Sequence, residues 1–346
     1  MGRRITIADI ARRADVSKTT VSRVLNNKPD VDKGTRERIL RIIEETGYVA
    51  NAMARGLRHQ RTGRIGLLLY IYVHGIHAHR LHIASEYYFE MIRGVAYRAE
   101  ELGYNLVLYT SLAWEGALSR LTYLCRAREV DGLILMGAGE MQPLIEVLNR
   151  ESLPFIVVNQ RIAEDPTVSY IAPDNERGAY QATRHLIELG HRRIAYISRP
   201  ADVGTDADRQ RGYRLALDEA NLHFDASLCS EASFELGSGY QAMERLLNLD
   251  SRPTSVFAFN DPLAIEALHA IHDRGLRIPQ DVAVVGFDDV HSAAVVIPSL
   301  TTVHQPLFET GAEAMDRLIS LLCQEETEPT RVVMPVKLIV RESTVF

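Results

Sequence analysis

Two sets of polar residues in this 346-residue chain have types and spacings suited to chemistry. The first set ends apolar runs in the middle and C-terminal parts of the chain. Asn159 follows Phe155-Ile156-Val157-Val158, Asn260-Asp261 follows Ser255-Val256-Phe257-Ala258-Phe259, and Asp288-Asp289 closes the run from Val282. Polar groups at the carboxyl ends of buried strands are where open α/β sheets hold small ligands. Asn and Asp after a strand also commonly cap the next helix, and the pattern alone supports both readings.

The second set lies near the N-terminus. Lys18, Thr19, Ser22 and Arg23 fall on one side of a short helical pattern, with Val21, Val24 and Leu25 on the other. An Arg there can reach guanine N7 and O6, and Ser, Thr and Lys suit base edges or phosphates. The plain alternative is a helical bundle with a solvated basic face.

These residues need elements to hold them. Thr6 caps a first helix whose stripe is Ile7, Ile10, Ala11 and Ala14, and Ser17 caps the second, Lys18 to Leu25. Asp32 caps a third, Lys33 to Thr46, with Ile39, Leu40, Ile42 and Ile43 inward and Gly47 ending it. Two short helices joined by a tight turn are the parts of a helix-turn-helix. From Arg64 onward, apolar runs alternate with helix-length amphipathic segments. The candidate strands are Ile65–Leu69, Asn105–Tyr109, Gly132–Met136, Phe155–Val158, Ile194–Ile197, Ser255–Phe259 and Val282–Gly286. Candidate helices include Tyr88–Leu102, Arg177–Leu189, Asp206–Ala220, Gly237–Leu247 and Asp261–Arg274. Regular βα alternation implies doubly wound parallel sheets, and this many strands suggest two lobes.

Charge divides the chain at the same place. Residues 1–61 carry a net +7 and the remainder −13, so a basic head sits on an acidic body and only the head suits a polyanion. Cys125, Cys229 and Cys323 are scattered, in no metal-ligand spacing, and read as reduced cytosolic thiols. No apolar h-region follows Met1, and the run Ile65–Val73 is about half a membrane span. A cytoplasmic protein without membrane contact is expected. No Gly-rich phosphate loop, His-Glu-x-x-His, Gly-x-Ser-x-Gly or Cys-x-x-Cys occurs, and adjacent carboxylates cannot flank a glycosidic bond, so no enzyme is indicated. No cofactor is expected.

The wording of the head is more specific than its periodicity. Thr6-Ile7-Ala8-Asp9-Ile10-Ala11, Thr20-Val21-Ser22-Arg23-Val24-Leu25-Asn26 and Asn51-Ala52-Met53-Ala54-Arg55-Gly56-Leu57 resemble the lactose-repressor (LacI/GalR) family of bacterial regulators. In the body, Gly190-His191-Arg192-Arg193-Ile194-Ala195, Pro279-Gln280-Asp281-Val282, Gly286-Phe287-Asp288-Asp289 and Leu300-Thr301-Thr302-Val303 carry the resemblance across nearly the whole chain.

The resemblance implies an all-α helix-turn-helix head (1–48), a hinge helix and linker (49–62), and a two-lobed, periplasmic-binding-protein-like α/β body (63–346). The body's lobes are expected at about 63–173 with 305–326 and at 175–303 with 330–346. It implies that Lys18, Thr19 and Arg23 read bases, while Thr6, Ser17, Thr20, Ser22 and Asn26 hold the phosphate backbone. In the hinge, Leu57 would wedge into a minor-groove step, Ala54 would let paired helices approach, and Asn51 and Arg55 would face DNA. Gly56 departs from the better helix formers common there, at a cost of about 0.5–1 kcal/mol. For the body it implies Arg209, Asn260 and Asp288 as effector ligands, joined by Asn159 and Asp174, with Tyr88, Phe89 and Phe234 as aromatic walls.

A carboxylate, an arginine and amides over aromatic faces suit a sugar; purine-type corepressors use the same positions elsewhere in the family. The expected partners are a near-palindromic double-stranded operator, a carbohydrate effector and a second copy of the chain. The C-terminal heptad helix of tetrameric relatives is lacking, so the copy number expected is two. A solute-binding protein shares the body but not the basic head. Residues 70–87 exceed the family's usual length and hold His74, His77, His79 and His82, either a metal or pH-sensing group or a polar surface loop. Trp114 either joins the aromatic wall or packs elsewhere.

Overall fold

The computed structural model describes residues 5–25, 28–48, 61–71, 85–111, 114–138, 141–162, 165–199, 204–233, 235–324 and 328–345. The roles expected of Asn26, Asn51, Ala54, Arg55, Leu57, Phe234 and the four histidines 74, 77, 79 and 82 lie outside the described residues, as does the side chain of Trp114. The chain divides into two compact units, Met1–Gly63 and Arg64–Phe346.

The first unit is helical: α1 (Ile7–Arg13), α2 (Lys18–Leu25) and α3 (Lys33–Thr46). Its sequence signals act as side-chain caps. The Thr6 N–H and hydroxyl both donate to Asp9 (3.0 and 2.7 Å), Ser17 Oγ accepts from the Thr20 N–H (3.0 Å), and Asp32 accepts from the Thr35 N–H (2.9 Å). Gly47, at φ 59°, ends α3 in the left-handed conformation that glycine adopts without strain. Ile10, Ala11, Ala14, Val21, Val24 and Ile39 form the buried centre. Leu40, expected inward, is instead 48% exposed. It lies one residue, about 100° of helical turn, from the stripe centred on Ile39.

In chain order the second unit runs β1 (Arg64–Ile71), α4 (Ser85–Glu101), β2 (Asn105–Ser111), α5 (Trp114–Ala127), β3 (Gly132–Ala138), α6 (Gln142–Glu151), β4 (Phe155–Val158) and β5 (Tyr170–Pro173). It continues with α7 (Asn175–Glu188), β6 (Ile194–Ser198), α8 (Gly204–Glu219), β7 (Cys229–Glu231), α9 (Ser238–Leu247), β8 (Ser255–Ala258), α10 (Asp261–Asp273) and β9 (Ala283–Asp288). Last come α11 (His291–Val295), β10 (Thr301–His304), α12 (Leu307–Cys323), β11 (Arg331–Met334) and β12 (Lys337–Ile339).

Two sheets result, each the floor of one lobe. The first has the order β2-β1-β3-β4-β5-β11, every pairing parallel. The second has the order β7-β6-β8-β9-β10-β12, parallel apart from antiparallel β12. In both, strand order reverses beside the first strand, at β1/β3 and β6/β8, the switch points where such sheets hold ligands.

One expected boundary is corrected. The resemblance implies residues 330–346 in the second lobe, but Arg331–Met334 pairs with β5 in the first sheet, and only the chain from Lys337 joins the second. β5 is a four-residue strand that its sequence does not announce, so nothing suggested a vacant edge for β11. Three short crossings connect the lobes: Asp174, Gln305-Pro306 and Pro335-Val336.

In the first lobe α4 packs on α12 through reciprocal glycines. A Cβ on Gly94 would overlap the Phe308 carbonyl, and one on Gly311 the Met91 carbonyl, so each backbone rests directly on the other. Gly311→Val is expected to lower stability by about 1–3 kcal/mol, the usual cost of overpacking, read as a shifted urea midpoint at constant slope. An unchanged midpoint would show that the crossing yields. Because α4 also carries Tyr87 and Tyr88, this packing positions one wall of the cleft.

Candidate functional site

The carboxyl end of the second sheet gathers an unusual set of buried charges. Arg209, from α8, is 3% exposed. Its guanidinium lies 3.7 Å from the centroid of the Phe287 ring and 4.3 Å from that of Phe259. Its Nε donates to Asn175 Oδ1 (2.9 Å), Nη1 to the Phe259 carbonyl, and Nη2 stands 3.8 Å from Asp288 Oδ1. Two rings and three acceptors thus fix one planar cation. Asp288, at the end of β9 with φ 122°, also accepts from Gln305 Nε2 at 2.6 Å. A backbone there is strained for a residue with a side chain, and such strain concentrates at functional sites.

The first lobe faces this cluster with α4 and the end of β4. The Tyr87 hydroxyl donates to Asn159 Oδ1, and the Tyr87 and Tyr88 rings meet edge-on, 5.2 Å apart. Asn159 takes a left-handed conformation, φ 75°, which asparagine tolerates better than most residues.

Burial governs the protonation of these groups. It pushes the Asp288 carboxyl up to about 7, against the opposing pull of Arg209, the Gln305 hydrogen bond and Arg199. Burial, then repulsion from Asp288, raises Asp261 well above the usual carboxylate range. Tyr87 and Tyr88 are likewise raised, by burial first and Asp288 second, so both remain neutral hydroxyls able to donate or accept. Burial also pulls Arg199 down to about 10.

Not every strand-end residue faces a ligand. Asp261 spends its oxygens on the Val290 N–H (3.0 Å) and the Thr302 hydroxyl (2.5 Å), bracing the loop that carries Asp288. Asp289 holds Arg341 (2.6 Å) and His304 (2.9 Å), tying down the C-terminal segment. Asn260 caps α10 through the Leu263 N–H (3.2 Å), and Asp174 caps α7 while accepting from Arg161 (3.2 Å). The capping reading therefore holds for both. Tyr88 is buried, whereas Phe89 is 63% exposed and lines a cavity of about 350 Å³ with Glu86, His304 and Gln305.

Sequence reasoning missed Tyr87, Asn175, Arg199 and Gln305. Arg199 had a usable signal, since it directly follows the apolar strand β6 as Asn159 follows β4. Gln305 follows β10, a four-residue strand containing three polar residues that no apolar pattern marks.

In the helical unit, Lys18, Thr19 and Arg23 are all exposed along α2, and Ser22 is half-buried. Arg23 pairs with Asp30 at 3.1 Å, with both side chains about half exposed. Ser17 and Thr20 join through their hydroxyls at 2.9 Å, and Thr6 stands at the start of α1. These are short polar groups at helix starts.

Comparisons with known proteins agree with this architecture. Residues 6–51 match the model of bacterial regulatory proteins of the lacI family, and residues 183–344 that of a periplasmic binding protein-like domain. The chain is 35% identical to the HTH-type transcriptional repressor PurR of Escherichia coli O139:H28 over 343 residues, covering 98% of this chain and 96% of that protein. The structure of the transcriptional regulator CelR in complex with cellobiose superposes with a TM-score of 0.76 at 35% identity, covering 98% of this chain and 100% of the other. The lac repressor dimer bound to operator and the anti-inducer ONPF gives a TM-score of 0.85 at 26% identity, over 99% and 100%. With a helix-turn-helix head, a two-lobed α/β body and relatives matched from end to end, this chain belongs to the LacI family of bacterial DNA-binding transcriptional regulators, and is not an enzyme.

Proposed function

We propose that the protein is a cytoplasmic homodimeric repressor whose hold on a near-palindromic operator is released by a carbohydrate bound between the lobes of its body. Lys18, Thr19 and Arg23 read bases, and Thr6, Ser17, Thr20, Ser22 and Asn26 grip phosphates. Asn51, Ala54, Arg55 and Leu57 form the hinge contact. In the cleft Arg209, Asn260, Asp288, Asn159 and Asp174 take hydroxyls, and Tyr88, Phe89 and Phe234 cover the sugar's C–H face. The division into a head (1–48), a linker (49–62) and a body (63–346) belongs to the same proposal.

The observation that carries the effector reading is the buried Arg209–Asp288 pair, with the guanidinium held between Phe259 and Phe287. Such a pre-oriented donor and acceptor suits the paired hydroxyls of a polyol. The cellobiose complex of the similar regulator CelR supports it. Two-fold assembly is supported by the likeness to the lac repressor dimer and by apolar surface at Val295 and Ile297, 63% and 92% exposed. Among the described residues no helix is long and apolar enough to cross a membrane.

The test is a thermal-shift screen against monosaccharides, disaccharides, their phosphates and purines, repeated with Asp288→Ala. A ligand that binds only the native state raises Tm, by mass action. A sugar hit that Asp288→Ala removes, and that lowers operator affinity, is the expected result. A hit confined to purines would replace the sugar with a PurR-like corepressor. A monomer that binds single half-sites at full affinity would end the dimer reading.

A further inference from the structure

One buried side chain of the cleft cluster is only half used. Asn175, 1% exposed, opens α7 directly after the crossing at Asp174. Its Oδ1 accepts from Arg209 Nε at 2.9 Å, which settles which end of the amide is oxygen and which is nitrogen. Nδ2, at the other end, has no hydrogen-bond partner among the described residues. A donor buried without an acceptor forfeits its hydration and gains nothing in return, so such a group calls for a partner.

The planar fork of Arg209 shows where that donor lies. Nε and Nη2 share one edge of a guanidinium, and here Nη1, off that edge, donates to the Phe259 carbonyl. Along the shared edge stand Asn175, at the Nε end, and Asp288, at the Nη2 end. The 3.8 Å between Nη2 and Asp288 Oδ1 is too long for a hydrogen bond. Neither side is free to close it. The rings of Phe287 and Phe259 hold the guanidinium, and the Gln305 amide holds Asp288 Oδ1 at 2.6 Å. The edge also faces the opposite lobe, since the charge of Asp288 acts on the Tyr87 and Tyr88 hydroxyls of α4.

We propose that Asn175 is a further effector ligand, which completes a socket for one hydroxyl of the sugar. The hydroxyl oxygen accepts from Asn175 Nδ2 and Arg209 Nη2, and its O–H donates to Asp288. A hydroxyl supplies two acceptor positions and one donor, as this socket requires. An ether or carbonyl oxygen lacks the donor, and an ammonium lacks the acceptors. Asn175 thereby sets which hydroxyl the effector must carry. This deepens the carbohydrate reading above and rests on it.

The competing account is that Asn175 serves only to hold Arg209 in place. Titration calorimetry on the full chain at pH 8 would use glucose, galactose, ribose and cellobiose, with the monodeoxy analogues of each sugar that binds. In the unaltered protein one deoxy position should lose at least about a hundredfold, because a site built around a hydroxyl rejects the analogue lacking it. Asn175→Asp keeps an oxygen for Arg209 Nε and exchanges the spare donor for an acceptor. It should bind the complete sugar at least about tenfold more weakly. Its preference at that one position should narrow by the same factor, while the ratios at the other positions hold. Each ratio is taken within one variant, so a general loss of stability does not imitate the effect. The deoxy series in the unaltered protein needs no variant to fold. No deoxy position standing out, undiminished binding by Asn175→Asp, or equal losses for the complete sugar and every analogue overturns the proposal and leaves the carbohydrate reading standing. Binding by none of the four sugars overturns both.

Discussion

Arg209→Met is expected to abolish stabilisation by the effector and to cost about 3–5 kcal/mol of stability at pH 8, the penalty for stranding one member of a buried ion pair. The stranded member is Asp288, 3% exposed and left with the Gln305 amide as its remaining donor in the pair's place. The loss should depend on pH with a definite sign. In the intact protein burial already holds the Asp288 carboxyl at about 7, above its unfolded value, and Arg209 opposes that rise. Removing the arginine raises it further. A carboxyl that binds its proton more tightly when folded costs most above its folded pKa, and stability returns as pH falls through that value toward the unfolded one. Urea midpoints of the variant relative to the parent should therefore close between pH 8 and pH 6. Adding Asp288→Leu to Arg209→Met should recover most of the loss at pH 8, since replacing a whole buried pair with apolar groups is often neutral. A loss independent of pH, or unrelieved by the double change, would mean that Arg209 acts chiefly through its packing on Phe259 and Phe287.

Arg23→Ala is expected to weaken binding to the preferred operator about 10- to 100-fold, the worth of one good bidentate contact to guanine. An operator can be selected from random duplexes with the intact protein. Binding to unrelated duplex should fall much less, in line with one lost positive charge and a correspondingly flatter salt dependence. The Arg23–Asp30 pair does not protect the arginine from this role. Exposed ion pairs are worth about 0–1 kcal/mol, so exchanging Asp30 for a base edge is nearly free. Equal losses on specific and unrelated DNA would reduce Arg23 to a phosphate contact. Lys18→Ala, a change at the exposed start of α2, offers the parallel measurement of which base it selects.

Much of this fold was legible because its signals are local. Thr6, Ser17 and Asp32 stand at the helix starts that their sequence marks, and apolar runs such as Gly132–Met136 form buried strands. The strands that escaped notice, β5, β7, β10, β11 and β12, are three or four residues long. Their conformation is imposed by a neighbouring strand rather than by their own periodicity. The same limit separates the cleft residues. Asn159, Asn260 and Asp288 stand at the ends of readable strands, whereas Gln305 stands at the end of an unreadable one. Tyr87 gives no sign in sequence that its hydroxyl, rather than that of adjacent Tyr88, reaches Asn159. Asp261 and Asp289 look like their neighbours on paper; only the three-dimensional partners Thr302, Val290 and Arg341 mark them as braces.

The three crossings between the lobes are one, two and two residues long, and two of them contain proline. Tethers this short leave almost no slack, so one lobe cannot slide along the other; it can only turn about a line threading all three. The body is in effect a single-axis joint. Any molecule that draws the cleft shut must express its binding as one angle, whatever its own shape. Chemically different ligands could then be exchanged in evolution by rebuilding the ends of a few strands, with the transmitted movement left unaltered. The C-terminal stretch is what finishes the joint: β11 fastens to one lobe, β12 to the other, and Pro335-Val336 is the last pin between them.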